Sequence, residues 1–169
     1  MAMDKHDREP LRRIDLSDPW QLIATGFGTG MLPKMPGTFG SLAALPFCCA
    51  FVYAPPAFQI IIIALVTVIG TFSASRTEKV LGMHDNSAIV IDEVAGMLVS
   101  CILYPPIWYL PFIAFVLFRF FDILKPWPVG LADRKVGGGF GVMLDDLIAG
   151  AWALAVFQII RLATGHFAF

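Results

Sequence analysis

Long apolar segments dominate this chain and restrict it to helices packed within a membrane. Residues 57–75 (AFQIIIIALVTVIGTFSAS) carry no charge over roughly the length that crosses a bilayer. Backbone polar groups in lipid must be satisfied within the segment, which favours helices. The chain is 57% hydrophobic and 15% charged, whereas a soluble domain is usually about 45–50% apolar. Further apolar segments cover residues 41–53, 88–104, 107–124 and 142–163. We therefore predict an all-α integral membrane bundle of about four to five spans.

The first forty residues differ from this pattern. Residues 1–17 are predicted to form a polar N-terminal arm, and residues 18–169 a single membrane-embedded domain. Ser17 or Asp18 is a candidate N-cap for a short helix with Pro19 in its first turn. The glycines and prolines of residues 26–40 exclude a spanning helix, and we expect Gly40-Ser41 to begin the next one.

Some function classes are excluded by composition. The net charge is −1, with no basic run, so nucleic-acid binding is not indicated. Cys48, Cys49 and Cys101 lie in apolar runs without metal-ligand spacing, so neither a zinc site nor a disulfide framework is predicted. Nothing in the sequence specifies an oligomeric state.

The positive charges predict an orientation. With the N-terminus in the cytoplasm, the two Pro-Pro turns at 55–56 and 105–106 face outward, and every Lys and Arg except Arg161 falls on the cytoplasmic side. This arrangement brings four features to one face: the loop of residues 26–41, the pair Asp92-Glu93, the cluster of residues 119–135 and the pair Asp145-Asp146. We expect the active site at these cytoplasmic helix ends. Along the chain, a Gly-rich loop is predicted between the apolar segment of residues 107–124 and the last span.

Five acids then share one depth in the membrane: Asp92, Glu93, Asp122, Asp145 and Asp146. Such carboxylates repel one another unless a cation lies among them, and oxygen ligands suit Mg²⁺. The alternative is that they form helix-end ion pairs with Arg119 and Lys125. Because adjacent helical residues point about 100° apart, we expect one member of each acidic pair to face the ion.

Basic residues and glycine loops supply candidate phosphate ligands. Arg119 and Lys125 are suited to bind a phosphate, whereas membrane anchoring suffices for Arg134 and Lys135. Glycine loops can direct backbone N–H groups at an anion, although turn formation is the simpler explanation. The candidates from these loops are Gly28, Thr29, Gly30, Thr38 and Ser41.

Small residues follow two of the acids by one turn. Gly96 lies four residues after Asp92, and Gly150 four after Asp146. Small residues permit close contact between helices in lipid, so we predict that these two faces pack together. No serine or cysteine lies in a nucleophile motif, which leaves a carboxylate or a metal-activated water as the nucleophile.

These segments resemble the phosphatidylglycerophosphatase A family. The matching pieces are GFGTG (26–30), PGTFGS (36–41), HD (84–85), IVIDEVAGM (89–97), FRFFDILKPWP (118–128), DR (133–134) and GGFGVMLDDLIAG (138–150). Position 91 is Ile, where the family leads us to expect an aromatic residue.

The resemblance implies a multi-pass enzyme of the bacterial inner membrane. It would convert phosphatidylglycerophosphate to phosphatidylglycerol and phosphate, using Mg²⁺ and a phospholipid substrate held in the bilayer. The family's catalytic and binding residues carry over to Asp92, Glu93, Arg119, Asp122, Lys125, Asp145 and Asp146. Residues 18–169 would then be one phosphatase domain.

Two other functions fit intramembrane acids. A divalent-cation transporter or channel would line a path with them, but here the acids occupy one leaflet only. A CDP-alcohol phosphotransferase would carry a long acidic pattern on one helix, and that pattern is absent from this sequence.

Overall fold

The computed structural model describes residues 14–83 and 86–165, which form helices and no strands. Within these residues seven α-helices follow one another: α1 (Pro19–Ala24), α2 (Pro36–Phe51), α3 (Pro56–Leu81), α4 (Ile91–Cys101), α5 (Leu110–Leu124), α6 (Val129–Lys135) and α7 (Gly138–Thr164). A 3-10 turn covers Thr29–Met31. The all-α prediction is confirmed for this part of the chain. Most of the predicted N-terminal arm and the HD pair at 84–85 lie outside the described residues.

Helix α1 begins where the sequence predicted. The Asp18 carboxylate accepts a hydrogen bond from the Trp20 backbone N–H at 2.9 Å, and Pro19 occupies the first turn. That hydrogen bond lowers the pKa of Asp18 from its usual value. Thr25 and Gly26 then end the helix, because the chain turns at Gly26 with a positive φ of 54°.

Among residues 14–83 and 86–165, two helices are long and apolar enough to cross a membrane, α3 with 26 residues and α7 with 27. The helices α2, α4 and α5 have 16, 11 and 15 residues. At about 1.5 Å per residue they reach roughly 16–24 Å, less than a hydrocarbon core of about 30 Å. The prediction of four to five spans is therefore not confirmed.

The segment of residues 88–104 is apolar over its length but is not helical throughout. Ala88 to Val90 precede the helix and pack against the start of the domain, where Val90 N–H donates to the Ala24 carbonyl at 2.8 Å. Helix α4 therefore begins at Ile91, and Asp92 and Glu93 lie in its first turn.

Three other helix boundaries differ from the prediction. Helix α2 begins at Pro36 and not at Gly40-Ser41, and α3 continues beyond the apolar segment of residues 57–75 to Leu81. The residues after Ser75 are mostly good helix formers, and Gly82 with φ of 68° provides the left-handed C-cap. The predicted Gly-rich loop contains α6, and α7 begins at Gly138.

Helices α4 and α7 pack together more extensively than any other two helices in the described part of the chain. A Cβ atom at Gly96 would collide with the Phe118 ring and would lie 2.8 Å from the Asp146 carbonyl oxygen. A Cβ atom at Gly150 would lie 3.1 Å from Val99 Cβ. The predicted packing of the Gly96 and Gly150 faces is confirmed, and it juxtaposes the acid-bearing turns of both helices.

We expect Gly96→Ala to destabilise the protein, because neither the Asp146 backbone nor the Phe118 ring has room to move. Overpacking of this kind lowers the free energy of unfolding by about 1–3 kcal/mol. The measurement is the midpoint of thermal unfolding in detergent. Gly137→Ala is the matched control, since a Cβ atom there would meet nothing within 4 Å. Equal midpoints for the two variants would contradict the close contact.

Candidate active site

Three carboxylates converge where α4 meets α7. Asp92 and Glu93 come from the first turn of α4, and Asp146 comes from α7. One oxygen from each side chain lies within 4.8 Å of an oxygen of the others. Asp92 is 8% exposed and Asp146 is 3% exposed. We call these three residues the acid cluster.

The acid cluster has the character of a cation site. Asp92 Oδ1 accepts a hydrogen bond from the Glu93 backbone N–H at 3.0 Å, but Glu93 Oε2 is buried with no partner in the described part of the chain. Burying carboxylates without compensation costs several kcal/mol per ion. Oxygen ligands with no nitrogen or sulfur donor match the preference of Mg²⁺, so the residues present fit this ion.

The two acidic pairs behave differently from each other. Both members of Asp92-Glu93 offer an oxygen to the acid cluster, whereas only Asp146 of the second pair does so. The acid cluster therefore takes one residue from the pair on α7 and both residues from the pair on α4. The expectation that one member of each pair faces an ion stays a prediction.

Asp122 is paired with Arg119 on the last turns of α5. Arg119 Nη1 lies 2.5 Å from Asp122 Oδ2, and Arg119 Nη2 donates to the Thr38 hydroxyl at 3.4 Å. Arg119 Nε is buried without a hydrogen-bond partner among residues 14–83 and 86–165. The guanidinium is thus held from two sides and retains a donor for a ligand. The Asp122 carboxyl group also interacts electrostatically with Glu93 and Asp146.

Asp145 is paired with Lys125. The Lys125 ammonium donates to Asp145 Oδ2 at 2.8 Å and to Asp133 Oδ1 at 2.5 Å. Burial opposes the charged form of Lys125, but the hydrogen bonds to Asp133 and Asp145 outweigh it and raise the pKa of this lysine. Sequence reasoning did not include Asp133 in the site. The signals for it were the DR pair within the family resemblance and its place in the cluster of residues 119–135.

The start of α2 lies against the Glu93 carboxylate and the Arg119 guanidinium. A Cβ atom at Gly37 would collide with Glu93 Oε1 and would lie 3.2 Å from Arg119 Nη1. A larger residue here would therefore have to displace the Glu93 carboxylate. Because the first N–H groups of a helix have no partner within it, and its dipole favours anions, this end suits an anion beside Arg119.

The remaining glycine-loop candidates are occupied within their own segments. The backbone N–H groups of Gly28, Thr29 and Gly30 donate to carbonyls of Thr25 and Gly26. Ser41 is buried, and its hydroxyl donates to the Gly37 carbonyl at 2.8 Å. Only Thr38 contacts a charged site residue, through Arg119. A substrate-binding role for Gly28, Thr29, Gly30 and Ser41 stays a prediction.

Comparison with known protein families identifies the family to which this chain belongs. The family model described as Phosphatidylglycerophosphatase A matches residues 22–161, which include the acid cluster, Arg119 and Lys125. The chain belongs to the phosphatidylglycerophosphatase A family. The resemblance stated from the sequence motifs is thereby confirmed, and so is the prediction that the chain is a phosphatase.

Individual relatives of the family agree with this membership. The chain is 38% identical over 159 residues to phosphatidylglycerophosphatase A of Escherichia coli, covering 94% of this chain and 92% of that protein. It is 39% identical over 153 residues to the same enzyme of Haemophilus influenzae, covering 89% and 93%. A Bacteroides thetaiotaomicron protein provisionally named phosphatidylinositol-3-phosphatase is 35% identical, covering 85% and 94%. No solved structure matches the chain.

We expect Gly37→Ala to impair phosphatase activity more than stability. The added methyl group would push Glu93 and Arg119 apart, and a displacement of about 1 Å in a catalytic site costs about 100-fold in rate. The measurement is kcat/KM with the thermal midpoint determined in parallel. Gly137→Ala again serves as the control. Wild-type kcat/KM in Gly37→Ala would contradict the close approach of α2 to these two side chains.

Proposed function

We propose that the chain hydrolyses phosphatidylglycerophosphate to phosphatidylglycerol and inorganic phosphate. The observation that carries this proposal is the juxtaposition of opposite charges at the start of α2. Glu93 of the acid cluster and the guanidinium of Arg119 both approach Gly37, so anion-binding and cation-binding groups meet at one point. A phosphate monoester with a bound cation has this charge pattern. The names of the E. coli and H. influenzae relatives support the same substrate.

Mg²⁺ is the proposed cofactor, and Asp92, Glu93 and Asp146 are the residues that would hold it. Their oxygens lie within 4.8 Å of one another, and Glu93 has a buried unpartnered oxygen. When bound, the ion would supply charge neutralisation at the phosphoryl oxygens and activation of a water. Asp122 and Asp145, which the sequence included among the candidate ligands, are engaged with Arg119 and Lys125.

The protein's own groups account for binding and orientation of the phosphate. Arg119 is held by Asp122 and Thr38, so its planar fork presents its remaining N–H groups in a fixed direction. The first N–H groups of α2 add donors beside it. Such preorganised donors stabilise the charge that develops on the transferring phosphoryl group without reorganising during the reaction. Lys125 adds a second positive charge from the end of α5.

The attacking group is a water or one of the carboxylates. Attack by a water would transfer the phosphoryl group directly and leave the protein unmodified. Attack by a carboxylate would break the phosphate ester and leave an acyl phosphate on an aspartate or glutamate. Acid quenching during turnover with ³²P-labelled substrate distinguishes the two, since only the second route labels the protein.

The proposed location is the inner membrane, with the site and the N-terminus in the cytoplasm. In support, α3 exposes a series of large apolar side chains: Ile60, Ile61, Leu65, Val68 and Phe72. Apolar surface of this extent on a helix of 26 residues suits contact with lipid. The acyl chains of the substrate would stay in the bilayer while its phosphate reaches the start of α2. We propose a multi-pass topology, in which α3 and α7 are the helices of the described part of the chain with the length of a span.

The test of activity is phosphate release by the purified protein from phosphatidylglycerophosphate in detergent with Mg²⁺. We expect Asp146→Asn and Arg119→Gln to lower kcat/KM by about 100-fold or more, because each removes a group that neutralises or binds the phosphoryl charge. Arg134→Gln is the control, as Arg134 is exposed on α6. Phosphatidylinositol 3-phosphate is the comparison substrate, given the name of the Bacteroides relative.

Absence of phosphate release from the wild-type protein, or undiminished release by Asp146→Asn, would overturn the proposed activity. The cation-transporter alternative is not favoured by the family membership. It predicts Mg²⁺ flux into sealed liposomes containing the protein, whereas a phosphatase is expected to give none.

Metal binding is tested separately from activity. Mn²⁺ replaces Mg²⁺ in oxygen-ligand sites and can be titrated by electron paramagnetic resonance. We expect Glu93→Gln and Asp146→Asn to weaken Mn²⁺ binding by at least about tenfold, since each removes a charged ligand. Asp145→Asn is the matched control on the neighbouring residue, because Asp145 is engaged by Lys125. If Asp145→Asn weakened Mn²⁺ binding as strongly, the proposed ligand set would be wrong.

A further inference from the structure

Helix α6 contacts Lys125 through two residues of one face. A Cβ atom at Gly130 would lie 2.8 Å from the Lys125 carbonyl oxygen, so α6 approaches the backbone of Lys125 closely. Asp133 follows Gly130 by three residues and therefore shares its face of the helix. Its carboxylate accepts a hydrogen bond from the Lys125 ammonium at 2.5 Å. The same helix thus holds both the backbone and the side chain of this lysine.

Lys125 needs such support because of where it lies. It is the C-cap of α5 with φ of 43°, a left-handed conformation that is uncommon for a lysine. Its side chain is flexible and leaves the helix end, so its ammonium group has no fixed position of its own. The contact with Asp145 on α7 at 2.8 Å ties it from one side only.

We propose that Asp133 is a positioning residue that fixes the Lys125 ammonium for the substrate phosphate. A lysine ammonium has three N–H donors, and Asp133 and Asp145 take two of them. The third donor then has a defined direction instead of rotating among several. This role rests on the proposed function, because it assigns the remaining donor to the phosphate of the lipid.

The exposure of the ion pair between Lys125 and Asp133 supports a positioning role for Asp133. Lys125 lies between two carboxylates whose side chains are 28% and 11% exposed, Asp133 being the more exposed. An ion pair at the more exposed position contributes little to stability, so its value lies in geometry. Asp133 therefore need not touch the substrate to affect its binding.

Chemical labelling tests the contact without requiring activity. The full-length protein in detergent is acylated with an amine-reactive ester, and modification at Lys125 is followed by mass spectrometry. We expect Asp133→Asn to raise the Lys125 rate about threefold or more, because the ammonium loses a charged partner. Asp133→Glu should restore slow labelling, and Arg134→Gln on the same helix should leave it unchanged. An unchanged Lys125 rate in Asp133→Asn would overturn the proposal.

Kinetics test whether Asp133 acts through Lys125. We expect Asp133→Asn to lower kcat/KM for phosphatidylglycerophosphate about tenfold, the loss expected for one charge-assisted hydrogen bond. The double variant Lys125→Met/Asp133→Asn should then be no worse than Lys125→Met alone, since a residue acting through another shows no additional effect. A purely structural role predicts additive losses, and that result would overturn the proposal. Inactive wild-type protein would refute the proposed function instead, while the labelling result would still stand.

Discussion

The close contact between α4 and α7 is the constraint on which the site depends. Glycines at positions 96 and 150 let the two backbones approach until Gly96 meets the Asp146 carbonyl. The carboxylates one turn away are consequently brought within 4.8 Å of one another. A larger side chain at either glycine would separate the helices and with them the acid cluster. The two glycines therefore determine both the packing of α4 against α7 and the position of the acid cluster.

Charge is distributed unevenly among the acids, and this division gives each a different task. Asp122 faces Arg119, and Asp145 faces Lys125 together with Asp133. These acids orient cations and have their charge compensated by them. Asp92, Glu93 and Asp146 instead converge on one another, with an oxygen of each within 4.8 Å of the others. Because buried like charges repel one another, the second group has the arrangement that a bound cation would stabilise, and this is the basis of the Mg²⁺ site proposed above.

Sequence reasoning succeeded where a local signal determines the structure. Asp18-Pro19 identifies a helix start, and the spacing of Gly96 and Gly150 indicates close helix packing. It failed where a distant contact decides. The apolar residues before Ile91 are not helical because Val90 bonds to Ala24, 66 positions away. The pairing of Lys125 with Asp133 likewise depends on the fold of α6, which the glycine-rich composition concealed.

The glycine-rich segments near the N-terminus show how one sequence pattern can serve two physical purposes. In the first, Gly28 and Gly30 make turns whose N–H groups are bonded within the loop. In the second, Gly37 lies in the first turn of α2 and gives Glu93 and Arg119 room to meet it. Composition cannot separate these cases, because both use glycine beside threonine. The difference arises from the neighbouring side chains. Of these three glycines, Gly37 is the one that lies against charged groups. A phosphate bound between α2 and the acid cluster would thus be contacted by the start of a helix and not by a glycine loop.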